Sequence, residues 1–134
     1  MTQRLWLCLP PIALGGLDIA LTLLGQPSEY WAGDYRLAEE LNPLARPLLT
    51  WHPFAFLGLG VLWLVSVALG ILVLPRFSAR LACFGFASSH AIGAATWLWR
   101  LGLSGVILSL ALFVIAERLV DLAWKRDLAA ASAA

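Results

Sequence analysis

Four apolar stretches, each about as long as a membrane-spanning helix, constrain the fold of this chain more than any other feature. A helix crosses the roughly 30 Å hydrocarbon core of a bilayer with about 20 apolar residues. The stretches cover residues 5–25, 54–74, 81–99 and 101–120. The composition agrees, because 61% of the residues are hydrophobic and 13% are charged, whereas a soluble domain is about half apolar and about a quarter charged. Backbone groups in lipid must be hydrogen-bonded within their own segment, so the sequence predicts four transmembrane helices.

The lengths of the connections predict how these helices are arranged. Only PRFSAR separates helices two and three, and little more than Arg100 separates helices three and four, so each pair is expected to be antiparallel. In the long first connection, ELNPLARPLL predicts a short interfacial helix that Asn42 caps and Pro43 begins. The predicted fold is therefore an all-α membrane protein: four transmembrane helices in an antiparallel bundle, with an interfacial helix in the long outer connection. Residues 1–128 form one domain, and residues 129–134 are expected to be a disordered tail.

The first apolar stretch, which follows Arg4, also has some of the character of a signal peptide. Pro10 and Pro11 interrupt it, and no small-residue cleavage site follows before the chain becomes polar. We therefore expect a retained first helix, with a signal peptide as the alternative.

The distribution of Lys and Arg predicts the orientation in the membrane. With the N-terminus in the cytoplasm, the inside set is Arg4, Arg76, Arg80, Arg118, Lys125 and Arg126, and the outside set is Arg36, Arg46 and Arg100. Both termini are therefore expected in the cytoplasm, with the long connection outside. The formal net charge of +1 provides no basic patch for nucleic acid, so the lipid bilayer is the expected partner.

Asp18 is the one charged residue in the first apolar stretch, and it lies about two-thirds of the way toward the outer end. A charged side chain near the bilayer centre costs roughly 2.5–3.5 kcal/mol on insertion scales, so it should face the bundle interior, be protonated or have a partner. Thr22 is four residues further on and shares its helical face. The alternative to a functional site is a neutral Asp18 that hydrogen-bonds a neighbouring helix.

His90, near the middle of the third stretch, is the predicted partner of Asp18. Gly85, Ser89 and Gly93 recur every four residues beside it, and small residues at this spacing predict a close helix contact. His90 is therefore expected to point into the bundle, at a depth comparable with that of Asp18. A lone histidine in an apolar helix is more often a hydrogen-bonded core residue than a metal ligand, but a His–Asp pair can fix a tautomer, hold a proton or contribute to a metal site.

Polar residues of the outer connection can complete a site around this pair. The predicted catalytic residues are Asp18, His90 and Glu40, and the predicted substrate-binding residues are Thr22, Asn42 and His52. All six can reach one cavity that opens outward. Carboxylate and imidazole groups suit general acid–base chemistry or a divalent metal such as zinc, but no HExxH motif is present and no metal or cofactor is assigned. For the residues of the connection, the alternative is ordinary surface polarity and helix capping.

Two patterns in the first half of the chain resemble a known family. LDIALT in the first helix contains Asp18 and Thr22 in an Asp-x3-Thr pattern, and ELNP before the second helix contains Glu40, Asn42 and Pro43 in a Glu-x-Asn-Pro pattern. Both patterns are similar to those of the DUF5658 family of small bacterial membrane proteins, whose function is unknown. The resemblance implies a shared architecture and a shared polar face. With the predicted orientation, it implies location in the bacterial inner (cytoplasmic) membrane.

The sequence leaves the activity open between several classes. The first hypothesis is an outward-opening intramembrane polar site for binding or for acid–base or metal-assisted chemistry. The second is a non-catalytic accessory or structural subunit, with a homo-oligomer or a larger membrane complex as its partner. GLSG and SHAIGAA resemble the serine and histidine motifs of rhomboid proteases, but His90 precedes Ser104, which is the reverse of the order in that family. Ion or proton transport is less favoured, because Asp18 and His90 are too few for a relay.

Overall fold

A computed structural model describes residues 4–132, of which 86% are helical, with no strand among them. In chain order the helices are α1 (Leu5–Leu24), α2 (Ser28–Trp31), α3 (Arg46–Trp51), α4 (Pro53–Val73), α5 (Arg76–Leu98) and α6 (Leu103–Ser132). Short 3-10 turns lie at Tyr35–Leu37 and Trp99–Leu101. The four long helices, α1, α4, α5 and α6, are each long and apolar enough to cross a membrane. The prediction of an all-α chain with four candidate spans is therefore confirmed.

Two helix ends differ from the prediction. α5 begins at Arg76 rather than at residue 81, because Pro75 precedes its first turn and the side chains of Arg76 and Arg80 pair with Asp127 of α6 instead of ending the helix. α6 continues past residue 120 to Ser132, so residues 129–132, predicted to be disordered, are helical. Alanine has the highest helix propensity of all residues, which favours this extension. Residues 133 and 134 of the predicted tail lie outside the described residues.

The predicted start of the short helix in the connection is also corrected. Asn42 Oδ1 accepts a hydrogen bond from the backbone N–H of Leu44 at 2.9 Å, but residues 43–45 form a turn. The helix begins only at Arg46, with a proline in its first turn. Asn42 therefore caps a turn that leads into α3, and Pro43 does not begin the helix.

α1 packs against the other three long helices, and its closest neighbour is α5. The buried face of α5 carries small residues at a spacing of about four: Ala79, Cys83, Ala87, Ala91 and Ala95. This row replaces the one predicted from the sequence, because Gly85 and Ser89 are exposed. Small side chains let two helices approach closely in a membrane, where burial of apolar surface contributes little.

The outward faces of the long helices are apolar. Leu62 and Leu69 of α4 and Leu110 and Val114 of α6 are all more than half exposed. Soluble monomers rarely expose continuous apolar surfaces of this extent. The four apolar helices therefore indicate a multi-pass protein in a lipid bilayer.

The long connection, residues 25–52, folds over the end of the helices at which α1 and α5 finish and α4 begins. The buried Gln26 amide donates to the Glu39 carbonyl at 2.9 Å and accepts from the Glu39 N–H at 2.8 Å. Arg100 forms an ion pair with Glu39 at 2.7 Å and donates to the Gly25 carbonyl at 3.1 Å. The buried Tyr30 hydroxyl donates to the Leu49 carbonyl at 3.2 Å. We call this the connection end of the molecule.

The opposite end, called here the termini end, is also joined by polar contacts. Arg4, at the start of α1, donates to the carbonyls of Leu72 and Leu74, where α4 finishes. Arg80 of α5 and Asp127 of α6 form an ion pair at 2.7 Å. Both ends of the helices are thus joined by contacts of charged side chains, and Asp18 and His90 lie between these two ends.

Candidate functional site

Asp18 of α1 and His90 of α5 form a direct side-chain contact, with 2.9 Å between His90 Nδ1 and Asp18 Oδ2. The side chains are 22% and 16% exposed, respectively. When the carboxylate is ionised, Nδ1 must be the donor, which leaves Nε2 of a neutral imidazole as an acceptor. Nε2 has no hydrogen-bond partner among residues 4–132 and is not one of the fully buried unpartnered atoms there. This nitrogen is therefore open to a ligand.

Two glycines make room for this contact. A Cβ added at Gly93 of α5 would lie 2.7 Å from both carboxylate oxygens of Asp18. A Cβ added at Gly15 of α1 would lie 3.3 Å from His90 Cδ2 and would collide with Leu64 of α4. Gly15 precedes Asp18 by three residues, and Gly93 follows His90 by three. Each polar side chain therefore packs against a glycine of the opposite helix, about one turn from its partner.

The pair lines a cavity of about 510 Å³ in the half of the molecule nearer the connection end. The cavity is lined by residues of α1, which we call its floor, by residues of α4 and α5, which we call its walls, and by residues 40–48 of the connection. The apolar walls include Leu59 and Trp63 of α4 and Phe86 of α5. Five of the six predicted site residues line the cavity: Asp18, Thr22, Glu40, Asn42 and His90.

Glu40 and Asn42 each have a backbone partner within the connection. Glu40 Oε1 accepts from the Asn42 N–H at 2.7 Å, and Asn42 Oδ1 accepts from the Leu44 N–H at 2.9 Å. These bonds fix the turn that covers the cavity. Each side chain also has further hydrogen-bonding capacity beyond its one bond, so a role in shaping the cavity does not exclude contact with a ligand.

His52, the sixth predicted site residue, is not among the residues that line the cavity. Its Nδ1 accepts from the Phe54 N–H at 3.2 Å, which caps the start of α4. Its ring packs against Tyr35, with 5.0 Å between ring centroids. The backbone before Pro53 is extended, as is usual for a residue that precedes proline, and this conformation directs His52 to the helix cap.

The arrangement suits acid–base chemistry better than metal binding. Asp18 and His90 supply two potential ligands, whereas catalytic zinc sites have three protein ligands. Among residues 4–132 there is no group of three or more His, Cys, Asp or Glu residues that could hold a metal. A carboxylate that holds an imidazole in one tautomer, with the second nitrogen free, is the arrangement of a general base.

A serine nucleophile does not complete the site in the described part of the chain. Ser89 lines the cavity, but its hydroxyl donates to the Phe86 carbonyl at 3.0 Å. Ser104, the serine of the GLSG motif, donates to the Leu101 carbonyl at 2.8 Å and does not line the cavity. The base would therefore act on a bound molecule or on water.

One fully buried carboxylate, Asp127, is not predicted by the sequence patterns. It is fully buried, and its Oδ2 accepts from Arg80 at 2.7 and 3.0 Å, with Arg76 Nε at 3.2 Å. Asp121 forms a surface ion pair with Lys125 at 2.6 Å. No local pattern distinguishes Asp127 from Asp121, since both lie near the polar end of α6. The sequence feature that could have indicated a buried acidic partner was the pair of Arg76 and Arg80, four residues apart on one face of α5.

Comparison of the chain with protein-family models, with curated proteins and with solved structures found no match. The assignment of the site therefore depends on its residues and their geometry.

Proposed function

We propose that this chain is a multi-pass protein of the bacterial inner membrane, with its four long helices in an antiparallel bundle and both termini in the cytoplasm. The arginines at the termini end support this orientation, because cytoplasmic ends of membrane helices are enriched in basic residues. α3 then lies at the outer interface, where the exposed Trp51 suits the headgroup region. The resemblance to the DUF5658 family is part of this proposal, supported by the four motif residues Asp18, Thr22, Glu40 and Asn42 around one cavity.

In this proposal, Asp18 and His90 are the acid–base centre of an intramembrane binding site. The observation that carries it is the 2.9 Å contact between the two side chains, both of which line the 510 Å³ cavity. A carboxylate at this depth is unfavourable by roughly 2.5–3.5 kcal/mol, and an apolar residue would pack α1 against α5 without that cost. A requirement for proton transfer or ligand binding explains why the pair is present.

The roles of the lining residues follow from their positions. Asp18 holds the Nδ1 proton of His90 and stabilises the imidazolium that forms when Nε2 accepts a second proton. Nε2 takes a proton from a hydroxyl of the bound molecule, or from a water beside it, and later returns it. Thr22 adds a hydroxyl to the floor, and Glu40 and Asn42 supply polar contacts where the connection lines the cavity.

A complementation experiment tests this function. A strain lacking the protein is supplied with the wild type, Asp18→Asn or His90→Gln, and its growth and its lipid and metabolite profiles are compared. We expect only the wild type to restore the parental profile, while all variants insert to the same level. Asp121→Asn is the matched control, because it removes a carboxylate that pairs with Lys125 on the surface. Normal function of both Asp18→Asn and His90→Gln would refute the proposal.

A further inference from the structure

We propose that the cavity holds one phospholipid of the outer leaflet, whose acyl chain enters sideways between α4 and α5 while its glycerol and ester region faces His90. The role of His90 in this inference rests on the proposed function. The choice of the outer rather than the inner leaflet rests on the orientation proposed there, whereas the positions of the acyl chain and the phosphate within the cavity do not.

The length of the cavity matches one leaflet. On α5 its lining extends from Phe86 to Trp97, eleven residues apart, which corresponds to about 16 Å of helix and to about half of a 30 Å hydrocarbon core. Phe86 and Trp63 are each the eleventh residue of their helices, and their rings meet at 5.7 Å between centroids. This contact closes the cavity at mid-depth, so it covers one leaflet and not the other.

The side of the cavity between α4 and α5 is open to lipid. Leu59 and Trp63 on one wall are 44% and 51% exposed, and Ser89 on the other wall is also exposed. Apolar walls around a polar floor are complementary to an amphiphile that is already in the membrane. A water-soluble ligand would gain little from these walls.

The polar groups are ordered by depth in the same way as those of a phospholipid. Next to the cavity is a second depression of about 400 Å³, which shares Glu40 and Trp97 with it and adds Arg46 and Arg100. Arg100 is already paired with Glu39, whereas Arg46 forms no ion pair among the described residues, so Arg46 is the cation available to a phosphate.

His90 is seven residues deeper than Trp97 on α5, or about 10 Å. A phosphate beside Arg46 therefore places the glycerol and ester groups toward His90. Because only about 6 Å of helix separate His90 from the Phe86–Trp63 contact, the cavity holds the first part of one acyl chain beside Trp63, and the rest of the chain continues through the open side between α4 and α5 into the bilayer.

Photocrosslinking in lipid nanodiscs tests the inference. The full chain is embedded with a phospholipid that carries a diazirine on one acyl chain, irradiated and digested, and the labelled residues are identified by mass spectrometry. We expect labelling concentrated on the residues of α4 and α5 that line the cavity, Leu59, Trp63 and Phe86. Even labelling of the outward faces of all four long helices would overturn the proposal.

Two matched serine-to-tryptophan variants test whether the photolabelling depends on the cavity. Ser89→Trp fills the cavity, and we expect it to reduce the labelling there at least about fivefold. Ser66→Trp is the control, because Ser66 is also an exposed helical serine bonded to a backbone carbonyl, but it does not line the cavity. Undiminished labelling of the cavity in a folded Ser89→Trp protein, or an equal loss in both variants, would contradict the inference.

The phosphate is tested with a second probe, a diacylglycerol that carries the same diazirine chain. We expect Arg46→Gln to reduce labelling by the phospholipid but not the weaker labelling by the diacylglycerol. Equal labelling by the two probes in the wild type would overturn the role of Arg46. Cavity labelling together with normal function of both Asp18→Asn and His90→Gln would support the lipid site and refute the acid–base function. Loss of function in these variants without labelling of the cavity would support the acid–base function and refute the lipid site.

Discussion

Gly93→Ala is expected to break the contact between Asp18 and His90, because the new methyl group would occupy the place of the carboxylate. The added Cβ would lie 2.7 Å from both oxygens of Asp18 and 2.9 Å from its Cγ, closer than a Cβ atom packs in real structures. The short Asp18 side chain must rotate away, and it then loses the 2.9 Å contact with His90.

The expected change in the free energy of unfolding on Gly93→Ala is the balance of two opposing effects. Alanine is favoured over glycine inside a helix by up to about 1 kcal/mol, whereas a hydrogen bond to a charged group contributes about 1.5–3 kcal/mol. Gly93→Ala should therefore lower the free energy of unfolding by about 0.5–2 kcal/mol. Gly85→Ala is the matched control on the same helix, since no atom lies within 4 Å of its added Cβ. It should be neutral or stabilise by up to about 1 kcal/mol.

Reversible unfolding by SDS in detergent micelles, followed by circular dichroism, measures both variants. The same substitutions are repeated in an Asp18→Ala background, in which the added methyl group meets no carboxylate. There, Gly93→Ala and Gly85→Ala should have the same effect. If Gly93→Ala already stabilises the wild-type background as much as Gly85→Ala does, the reasoning about the glycine contact is wrong.

Three further predictions concern the parts of the fold outside the cavity. Asp127→Asn should destabilise the protein by about 1.5–3 kcal/mol in the same SDS assay, because it removes the buried carboxylate that accepts two hydrogen bonds from the charged, partly exposed Arg80. A loss no larger than that of the surface variant Asp121→Asn would contradict this. His52→Ala should cost about 1 kcal/mol through the lost cap of α4 but should still complement the deletion strain, and loss of complementation at normal protein levels would return His52 to the site. Burial, and secondarily the neighbouring Tyr35, raises the pKa of Tyr30 above its ordinary value of 10.0. The stabilisation from the neutral hydroxyl is therefore complete below about pH 10 and is lost as the pH rises through the raised pKa. Tyr30→Phe should remove this loss of stability at high pH. Absorbance at 295 nm measures the ionisation of the tyrosines during the titration. An unchanged alkaline unfolding transition in Tyr30→Phe would exclude Tyr30 as its cause.

The sequence is sufficient to predict those parts of the structure that depend on the length of its apolar stretches. The four long helices follow from stretches of about 20 apolar residues, because lipid allows few alternatives. The pairing of Asp18 with His90 was anticipated from their comparable depths, since an isolated charge in a membrane requires a partner.

The parts that escaped prediction depend on how the helices are rotated against one another. The small-residue spacing predicts Gly85 and Ser89 on the packed face of α5, but both are exposed, and the buried row of Cys83, Ala87 and Ala91 is offset from them by two residues. Asp127 looked like one more charge at the polar end of α6, and only the packing of α6 against α5 buries it beneath Arg80. His52 was assigned to the cavity because of its residue type, whereas the backbone before Pro53 directs it to a helix cap.

The proton on His90 is the most direct test of the account, because the central claim is that Asp18 fixes the state of this imidazole. The chain has two histidines, so ¹⁵N-histidine labelling gives a simple NMR spectrum, and His52→Ala assigns it. We expect neutral His90 to be protonated at Nδ1 in the wild type and Asp18→Asn to shift this tautomer preference. His90 protonated at Nε2, or a spectrum that does not respond to Asp18→Asn, would contradict the account.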